Sequence, residues 1–505
     1  MISANCNHKR GTNPYTKESV TKILVTPIIW PNSRREMFLR RFQESRHAWP
    51  VLNEILADVE CQPMHVLIFA ASTIHFKIKR EAHILTPESV LELKSCLTKH
   101  LQEAALLPFG RPLVVQLALC LVRLGLYFAT WCHELPELSE AMVQNCPEHI
   151  RAFLELLELL PGEARDFIRR VRPDREYFIQ LHLREHARHV VTLMGQLLDN
   201  ENIGLEGEKQ CLKVCTAWTH YGFMSAKDLI YSRVLLRVNL IVCHEEVHIH
   251  AEACRVVVAL LKSAYIFRQL EVEILEMGHS LEDKYLRAVA ENKRALVANY
   301  AAVFLQLASM TLMTARGTHT FQVEEFGKFT FRMLLQVTRY GEWSAVELAM
   351  KIWQKLMREL NHFRRVSAFE PLLYDLMGVL FERIQLRDCH QHSGLHHRTR
   401  FAGFRRRVDE TVRVMAQLVT PIIMESFWST AQNPASLWMQ VEAAAFFLIP
   451  FINGYTILKV SFYERLLEIL SERPQNIFRG IERRIQKKIR KQALVISNES
   501  NCPSC

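Results

Sequence analysis

The five residues from His244 to His248 read HEEVH, which matches the H-E-x-x-H pattern of zinc hydrolases. The apolar spacing over 244–262 predicts a helix, on which two histidines four positions apart share one face and can bind zinc. Glu245 would then act as the general base. Cys254, the next candidate ligand, lies about 15 Å from His244 along an unbroken helix, too far to share the ion. A zinc hydrolase is therefore only a remote alternative.

A second stretch, Asp388 to Arg400, is rich in side chains that bind transition metals: Cys389, His390, His392, His396 and His397. A tract of this composition can hold a metal ion. A solvated loop that gains positive charge below neutral pH is the simpler account, because free imidazole titrates at about pH 6.5. We adopt the loop interpretation and predict no metal site and no cofactor.

A third charged stretch, Phe478 to Lys491, carries seven basic residues near the end of the sequence. Arg483, Arg484, Lys487 and Lys488 are predicted to contact an acidic partner or a phosphate group. The same stretch is compatible with a nuclear-localisation signal, with contact to an anionic membrane surface, or with the polar end of a helical array. These alternatives stay open.

Other catalytic patterns do not occur in the sequence or do not fit it. Neither the G-x-x-x-x-G-K-[ST] loop nor the G-x-G-x-x-G loop occurs, so no phosphate-binding loop of these types is predicted. The stretch Cys502 to Cys505 stands where a prenylation box would, but Pro503 and Ser504 are not aliphatic. We therefore predict that the protein is not an enzyme.

Length and composition indicate a helical protein that consists of several domains or of an elongated repeat array. The 505 residues are too many for one ordinary compact core, and 49% of them are hydrophobic. Glycine (17) and proline (18) are scarce, which favours helices over strands. The formal charge of +10 suggests an acidic partner, with an unspecific basic surface as the alternative. The thirteen scattered cysteines follow no secretory signal, so we expect reduced thiols in the cytosol or nucleus.

Two apolar stretches, 113–131 and 443–452, raise the question of membrane insertion. Arg123 lies near the centre of the first, where an arginine costs about 2.5–3.5 kcal/mol on insertion scales. The second is too short to span a bilayer. We predict that both are buried helices and that the protein does not insert into membranes.

Apolar residues recur three and four positions apart along most of the chain, which predicts about twenty helices joined by short polar corners. The predicted helices span 16–29, 31–45, 47–58, 63–80, 87–105, 111–130, 135–145, 148–160, 175–198, 207–221, 225–238, 244–262, 265–277, 281–314, 321–338, 342–361, 368–387, 401–428, 433–449 and 454–472, with a loop over 161–174. Helix pairs recur at about 40 residues, the period of HEAT-type repeats. The predicted fold class is all-α, a HEAT-repeat α-solenoid of antiparallel helix pairs.

Several sequence blocks follow one another in an order that is specific to one family. In the N-terminal part these residues are His47 to Trp49, Phe69 to Ala71, Thr73, Lys77 and Ile78. Further blocks are Gln116 to Leu119, Phe153 to Asp166, Gly341 to Leu356, Phe401 to Val408 and Asn433 to Ala443. In these residues the chain resembles the importin-β (karyopherin-β) family of nuclear transport receptors, and within it most closely the transportin-SR receptors.

The resemblance implies that inner helices of the N-terminal repeats, here 31–45, 63–80 and 111–130, bind the GTP form of Ran. The candidate Ran contacts are polar residues outside the core-facing stripe of these helices: Ser72, His75, Lys79 and Arg123. The resemblance also implies protein cargo, with serine/arginine-rich proteins as the candidate class. Contacts with nucleoporins and shuttling between cytoplasm and nucleus are expected, and no DNA partner is expected.

Two departures favour an alternative, a half-length regulatory or adaptor paralogue without the family's cargo binding. The chain stops near the middle of the family's length, so the C-terminal arginine-rich helix that binds phosphorylated serine/arginine segments is expected to have no counterpart. The family's acidic loop is replaced by the histidine-rich stretch. The predicted segments are a disordered tail (1–14), importin-β-like N-terminal repeats (15–105), HEAT or exportin-1-like repeats (106–387), the histidine-rich loop (388–400), further HEAT repeats (401–472) and a basic C-terminal helix and tail (473–505).

Overall fold

Helices account for the regular structure of the chain in the computed structural model. The model describes residues 14–25, 32–128, 147–262, 271–318, 324–363, 366–385, 395–418, 422–454, 459–471, 483, 485–487 and 489. These ranges contain no β-strand, which confirms the predicted all-α class for the described part of the chain. The chain divides into two compact units, Met1–Leu260 and Leu261–Cys505.

The first unit contains twelve described α-helices, and side chains cap the N-termini of some of them. The twelve helices are α1 (Lys17–Val25), α2 (Asn32–Glu44), α3 (Ala48–Ala57), α4 (Met64–Glu81), α5 (Pro87–Ala105), α6 (Arg111–Phe128), α7 (Pro147–Ile168), α8 (Pro173–Leu198), α9 (Gly204–His220), α10 (Ala226–Ile230), α11 (Arg233–His244) and α12 (His250–Leu261). The Thr86 hydroxyl accepts a hydrogen bond from the Ser89 amide at the start of α5. Ser225 and Asp228 form a reciprocal capping box on α10.

Alternate helices stack on one another in this unit. Helix α4 packs on α6, α6 on α7 and α7 on α9, while α3 lies against α4 and α5 against α6. Ile74, Leu117 and Leu157 are among the buried apolar residues of α4, α6 and α7. Each helix pair thus covers the apolar face of the next, as in a repeat array.

A fully buried lysine holds the corner between α2, α3 and α4. The Lys77 ammonium of α4 donates to the backbone carbonyls of Gln43 at 3.4 Å and Ser45 at 3.0 Å. It also donates to the Glu81 carboxylate at 2.8 Å. The Trp49 indole N–H donates to the other Glu81 oxygen at 3.1 Å, and the centre of its ring lies 5.4 Å from the Lys77 nitrogen. Trp49 and Lys77, two residues of the family pattern, are therefore structural.

Helix α7 continues through Pro161, so the predicted loop over 161–174 is wrong for its first part. Proline has no N–H with which to bond the carbonyl four residues earlier, that of Leu157. That carbonyl instead accepts a hydrogen bond of 2.8 Å from the Trp218 indole on α9. The apolar stripe also stays buried beyond the proline, as far as Phe167. Packing against α9 therefore preserves a helix that the local sequence would interrupt.

The second unit repeats the same two-layer stacking. Its helices are α13 (Glu271–Ala290), α14 (Arg294–Thr318), α15 (Glu324–Tyr340), α16 (Trp343–Phe363), α17 (Val366–Ile384), α18 (Leu395–Leu418), α19 (Ile422–Gln432), α20 (Trp438–Gly454) and α21 (Lys459–Ser471). One series packs α13, α15 and α17 in succession, and the other packs α14, α16, α18 and α20. Arg383 of α17 donates to the carbonyls of Thr338, Arg339 and Gly341, which satisfies the end of α15.

Most predicted helices agree with the structure to within a few residues, and 87–105 is reproduced. The single helix predicted over 281–314 is wrong, because a turn with Asn292 at φ 55° separates α13 from α14. The single helices predicted over 225–238 and 401–428 are each two helices. The predicted helix 135–145 lies outside the described residues.

Two segments of the described chain are long and apolar enough to cross a membrane: Arg111–Phe128, which is α6, and Arg294–Met313 of α14. They are 61% and 67% buried inside the protein. Each packs against neighbouring helices of its own unit. We therefore interpret both as core helices, as predicted for the first of them.

Candidate partner-binding surface

The four candidate contacts predicted from the sequence lie together on neighbouring helices. Ser72, His75 and Lys79 follow one face of α4, because residues three and four apart are neighbours on a helix. Arg123 lies on α6, which packs against α4. Glu163 of α7 joins them, since its carboxylate is near both Lys79 and Arg123. We call these five residues the α4–α6–α7 surface.

Side-chain bonds fix α4 against α6 at this surface. The Ser72 hydroxyl donates to the Gln116 side-chain oxygen at 3.1 Å. Ala71, the residue before Ser72, accepts a hydrogen bond of 3.3 Å at its carbonyl from the Cys120 thiol of α6. Cys120 is fully buried, and this burial raises the pKa of its thiol well above the ordinary value. Ser72 is thus held in the helix interface by Gln116.

The Glu163 carboxylate lies between two cations without a close hydrogen bond to either. Its Oε2 atom is 3.6 Å from the Lys79 ammonium and 3.7 Å from the Arg123 guanidinium. Both distances exceed those of good charge-assisted hydrogen bonds, and this oxygen has no hydrogen-bond partner in the described structure. The Arg123 guanidinium also lies 4.5 Å from the centre of the Phe167 ring. The Lys79 side chain is 34% exposed and that of Arg123 only 7%.

His75 of α4 is close enough to Lys79 and Arg123 to feel both charges, and it is neutral at physiological pH. Burial, reinforced by the positive charges of Lys79 and Arg123, lowers its pKa from 6.5 to about 4. Its Nε2 atom is buried and has no hydrogen-bond partner among the described residues. Burial also lowers the pKa of Arg123, an effect that the Glu163 charge opposes. The surface therefore presents a positive charge, chiefly through Lys79, beside an uncharged imidazole.

This arrangement can accept an acidic side chain from a partner. Lys79 offers a partly exposed ammonium that has no close hydrogen bond to Glu163, while Arg123 behind it is buried. Sequence reasoning found the four residues on α4 and α6 from helical spacing. It missed Glu163 because the segment from Pro161 onward was predicted as a loop.

The basic stretch near the end of the sequence is described only in part. Arg483 and Lys487 are helical and exposed, with Ile485 buried between them. Arg484 and Lys488, the other two predicted contacts, lie outside the described residues. The predicted contact of this stretch with an acidic partner or phosphate stays a prediction.

HEEVH does not lie on a helix, so the premise of the zinc hypothesis is wrong. Helix α11 ends at His244, and Glu245 takes the left-handed conformation at φ 55°. The next helix begins only at His250. Glu246 is occupied by two hydrogen bonds from the Arg237 guanidinium, at 2.9 and 3.0 Å. His244 and His248 therefore do not share one helical face.

The histidine-rich stretch is seen only at its end. Residues 386–394 lie outside the described part of the chain, while α18 begins at Leu395, inside the predicted loop 388–400. The side chains of His396 and His397 lie among those that the structure does not describe. Within the described residues, no group of three or more His, Cys, Asp or Glu side chains is placed to hold a metal ion.

Comparison with known proteins gives matches along most of the chain. Residues 110–257 match the family described as Exportin 1-like protein. An uncharacterised protein of Schizosaccharomyces pombe is 28% identical over 190 residues, which cover 36% of this chain and 19% of that protein. Transportin MOS14 of Arabidopsis thaliana is 20% identical over 501 residues, 91% of this chain and 50% of that protein.

A solved structure of importin-13 in its cytosolic state has a similar fold. The TM-score is 0.61 at 12% sequence identity, and the match covers 81% of this chain and 49% of that chain. This likeness confirms the predicted HEAT-repeat α-solenoid. The chain spans half or less of the length of each of these relatives.

Proposed function

We propose that this chain, which is similar to Exportin 1-like proteins, to transportin MOS14 and in fold to importin-13, is a divergent importin-β-type nuclear transport receptor that binds the GTP form of Ran and carries protein cargo through the nuclear pore. The observation that carries the proposal is the α4–α6–α7 surface. Its four predicted Ran contacts lie on the packed helices α4 and α6, and α6 lies, together with α7, inside the Exportin 1-like match over 110–257.

In this proposal Lys79 makes the first contact with Ran. Its partly exposed ammonium attracts an acidic side chain of the partner, and Arg123 behind it strengthens the positive potential. The incoming carboxylate then pairs with Lys79 in competition with Glu163. Ser72 acts indirectly, since its bond to Gln116 keeps α4 in position on α6. His75 is neutral, so it adds no further positive charge to the contact.

The solenoid supplies the coupling between Ran and cargo in this proposal. Each repeat contacts only its neighbours, so small rotations between helix pairs add along the array and change its curvature. Ran-GTP and protein cargo compete for overlapping inner surface, and contacts with nucleoporins allow shuttling between cytoplasm and nucleus. Serine/arginine-rich proteins are the candidate cargo class, and Arg483 and Lys487 are candidate contacts for an acidic partner.

A second candidate function is a regulatory or adaptor role without the family's cargo binding. It is favoured by the way in which the predicted contacts are used inside the protein. Ser72 is bonded to Gln116, and Arg123 is buried against Phe167 and Glu163. Lys79 is then the main exposed charge of this surface. Such a protein would keep one Ran or nucleoporin contact and compete with full receptors.

Binding to Ran tests the proposal directly. The purified chain is titrated with Ran loaded with a non-hydrolysable GTP analogue and, separately, with GDP. We expect GTP-selective binding that Lys79→Glu weakens by about tenfold or more, because the variant places like charges at the contact. Lys355→Glu, at an exposed position of α16, is the matched control. Equal binding to both nucleotide forms, or an equal loss in both variants, would refute the proposed contact.

Cargo binding separates the two candidate functions. Serine/arginine peptides, phosphorylated and unphosphorylated, are offered to the chain with and without Ran. A receptor is expected to bind one form and to release it when Ran-GTP is added. Indifference to both peptides, together with GTP-selective Ran binding, would favour the adaptor.

A further inference from the structure

The corner between α7 and α8 concentrates positive charge that the proposed Ran contact does not use. Residues 165–175 contain five arginines and two aspartates, a formal charge of +3 within eleven residues. We call Arg165, Arg169, Arg170, Arg172 and Arg175 the arginine corner. The corner is the connection between two helices of the first unit, α7 ending at Ile168 and α8 beginning at Pro173.

The guanidinium groups of this corner are largely without carboxylate partners. Arg165, Arg170 and Arg172 are exposed, and within the described part of the chain no carboxylate lies at ion-pair distance from them. Arg169 has only the exposed Asp166, at 4.0 Å. By contrast, arginines at other helix contacts have close partners, with Arg332–Glu282 at 2.7 Å and Arg237–Glu246 at 2.9 Å as examples. The positive charge of the corner is therefore available to a partner.

Aromatic rings hold two of these arginines in place. The Arg175 guanidinium lies 5.1 Å from the Tyr127 ring centre and 5.4 Å from that of Phe167. The Arg165 guanidinium lies 5.8 Å from the Tyr221 ring centre. A planar guanidinium that rests on a ring loses less freedom when it binds, and it keeps its N–H donors directed outward. The corner is thus partly preorganised for binding.

Exposed apolar side chains follow directly on the first two turns of α8. Tyr177 is 69% exposed, Phe178 44% and Leu181 39%. Large apolar residues beside uncompensated arginines are the composition of a protein-binding surface, where aromatic residues and arginine are enriched. Isolated exposed apolar residues are ordinary, but three within five positions next to the arginine corner form a continuous strip.

We propose that the arginine corner and the first turns of α8 form a docking surface for an acidic protein segment that also carries apolar side chains. Carboxylates of the segment pair with Arg165, Arg170 and Arg172, while its apolar residues cover the Tyr177–Leu181 strip. A protein fits this surface better than a nucleic acid, because Asp166 and Asp174 interrupt the positive charge. Those aspartates would repel a continuous phosphate backbone, whereas the carboxylates of a peptide can be spaced to avoid them. The net charge of +10 fits a partner of this kind.

The test uses the full chain and a designed probe. A fluorescein-labelled peptide of about 20 residues, with Glu and Asp on one face and Leu and Phe at helical spacing on the other, is titrated by fluorescence anisotropy at about 0.15 M salt. We expect saturable binding that Arg165→Glu/Arg170→Glu/Arg172→Glu weakens by at least about tenfold. The matched control is Lys351→Glu/Lys355→Glu/Arg358→Glu, which makes the same charge change on the exposed face of α16. It should leave binding unchanged.

Further probes separate the parts of the proposal. A peptide with Gln in place of the acids, and one with Ser in place of the apolar residues, should both bind more weakly. Tyr177→Ser/Leu181→Ser in the protein should weaken the acidic apolar peptide but not the acidic peptide without apolar residues. Should the triple reversal fail to fold, as judged by circular dichroism, the triple Arg→Gln variant replaces it.

Several outcomes would overturn the proposal. These are the absence of saturable binding, an equal loss in the corner and α16 variants, or tighter corner-dependent binding of a single-stranded RNA of equal charge. The last result would assign the corner to nucleic acid. The measurement contains no Ran, and Lys79→Glu should not affect it. Failure of this proposal and failure of the proposed Ran contact are therefore distinguishable.

Discussion

Two lysines only two positions apart on α4 lie in opposite environments. Lys77 is fully buried at the α2–α3–α4 corner and donates to two carbonyls and to Glu81 at 2.8–3.4 Å. Lys79 is 34% exposed, and its nearest carboxylate, that of Glu163, is 3.6 Å away. The first lysine belongs to the residue pattern in which the chain resembles the importin-β family, and the second does not. The pattern therefore marks what holds the repeat together, while the candidate contacts lie beside it on the same helix.

The difference has an energetic consequence. A buried charge that loses its partners costs several kcal/mol, whereas an exposed ion pair contributes about 0–1 kcal/mol. Changes at the corner should therefore reduce stability and affect binding only through unfolding. Changes at the α4–α6–α7 surface should alter partner binding and leave the free energy of unfolding nearly unchanged.

Replacing Lys77 should have the largest effect. Lys77→Met leaves the Gln43 and Ser45 carbonyls and the Glu81 carboxylate without their common donor in a buried site. We expect the free energy of unfolding to fall by about 3–5 kcal/mol, measured by urea denaturation of the full chain. Lys79→Met is the control and should change it by less than about 0.5 kcal/mol. Similar losses in the two variants would remove the distinction between the two lysines.

Trp49→Phe tests the same α2–α3–α4 corner with a smaller change. The phenyl ring keeps most of the packing but loses the N–H that donates to Glu81 at 3.1 Å, and it is a weaker partner for the Lys77 cation. We expect a loss of about 2 kcal/mol in the same denaturation experiment, since the acceptor is charged. Because both residues share Glu81, the double variant with Lys77→Met should lose less than the sum of the two single losses. Full additivity would mean that the network is not a unit.

The sequence predicted the fold through local signals that the structure preserves. Apolar spacing predicted a helix over 87–105, and in the structure Pro87 stands in the first turn of α5 and Thr86 caps it. The same local rules failed at Pro161, because the partner that rescues the helix is the Trp218 indole, 61 residues away in sequence. They failed at HEEVH for the opposite reason, since Glu245 leaves the helical conformation within an apparently helical pattern.

The candidate site was predictable only where it follows one helix. Ser72, His75 and Lys79 share a face of α4 by spacing alone. The approach of Glu163 to Lys79 depends on how α7 stacks on α6, which no spacing rule contains. The arginines of the α7–α8 corner are plain in the sequence. That Arg165, Arg170 and Arg172 have no carboxylate at ion-pair distance among the described residues is a property of the packing.

Glu163→Gln removes the carboxylate that Lys79 shares with Arg123. We expect a loss of about 1 kcal/mol in unfolding free energy, because the amide oxygen still accepts and Arg123 keeps its place over Phe167. Binding of Ran-GTP should become about threefold tighter, since Lys79 is freed for the partner. Glu206→Gln, at an exposed residue paired with Lys209, is the matched control. Weaker Ran binding in Glu163→Gln would mean that Glu163 positions Lys79 rather than competing for it.

The smallest expected effect is a change in the pH dependence of stability at His75. Burial, and then the charges of Lys79 and Arg123, lowers the pKa of His75 to about 4 in the folded protein, against about 6.5 in the unfolded chain. The unfolded chain therefore binds the proton more readily between these values. The stability that neutral His75 contributes is fully present above about pH 6.5 and is lost as the pH falls toward 4.

His75→Gln removes this titration, so the variant should lose less stability than the wild type as the pH falls from 6.5 to 4. Denaturation midpoints at half-unit pH intervals measure the difference in slope. His189→Gln, at an exposed position of α8, should keep the wild-type slope. An unchanged slope in His75→Gln would mean that the imidazole is solvated and charged at mildly acidic pH. The surface would then carry a further positive charge beside Lys79, and its contrast with the buried Lys77 corner would be greater than the structure indicates.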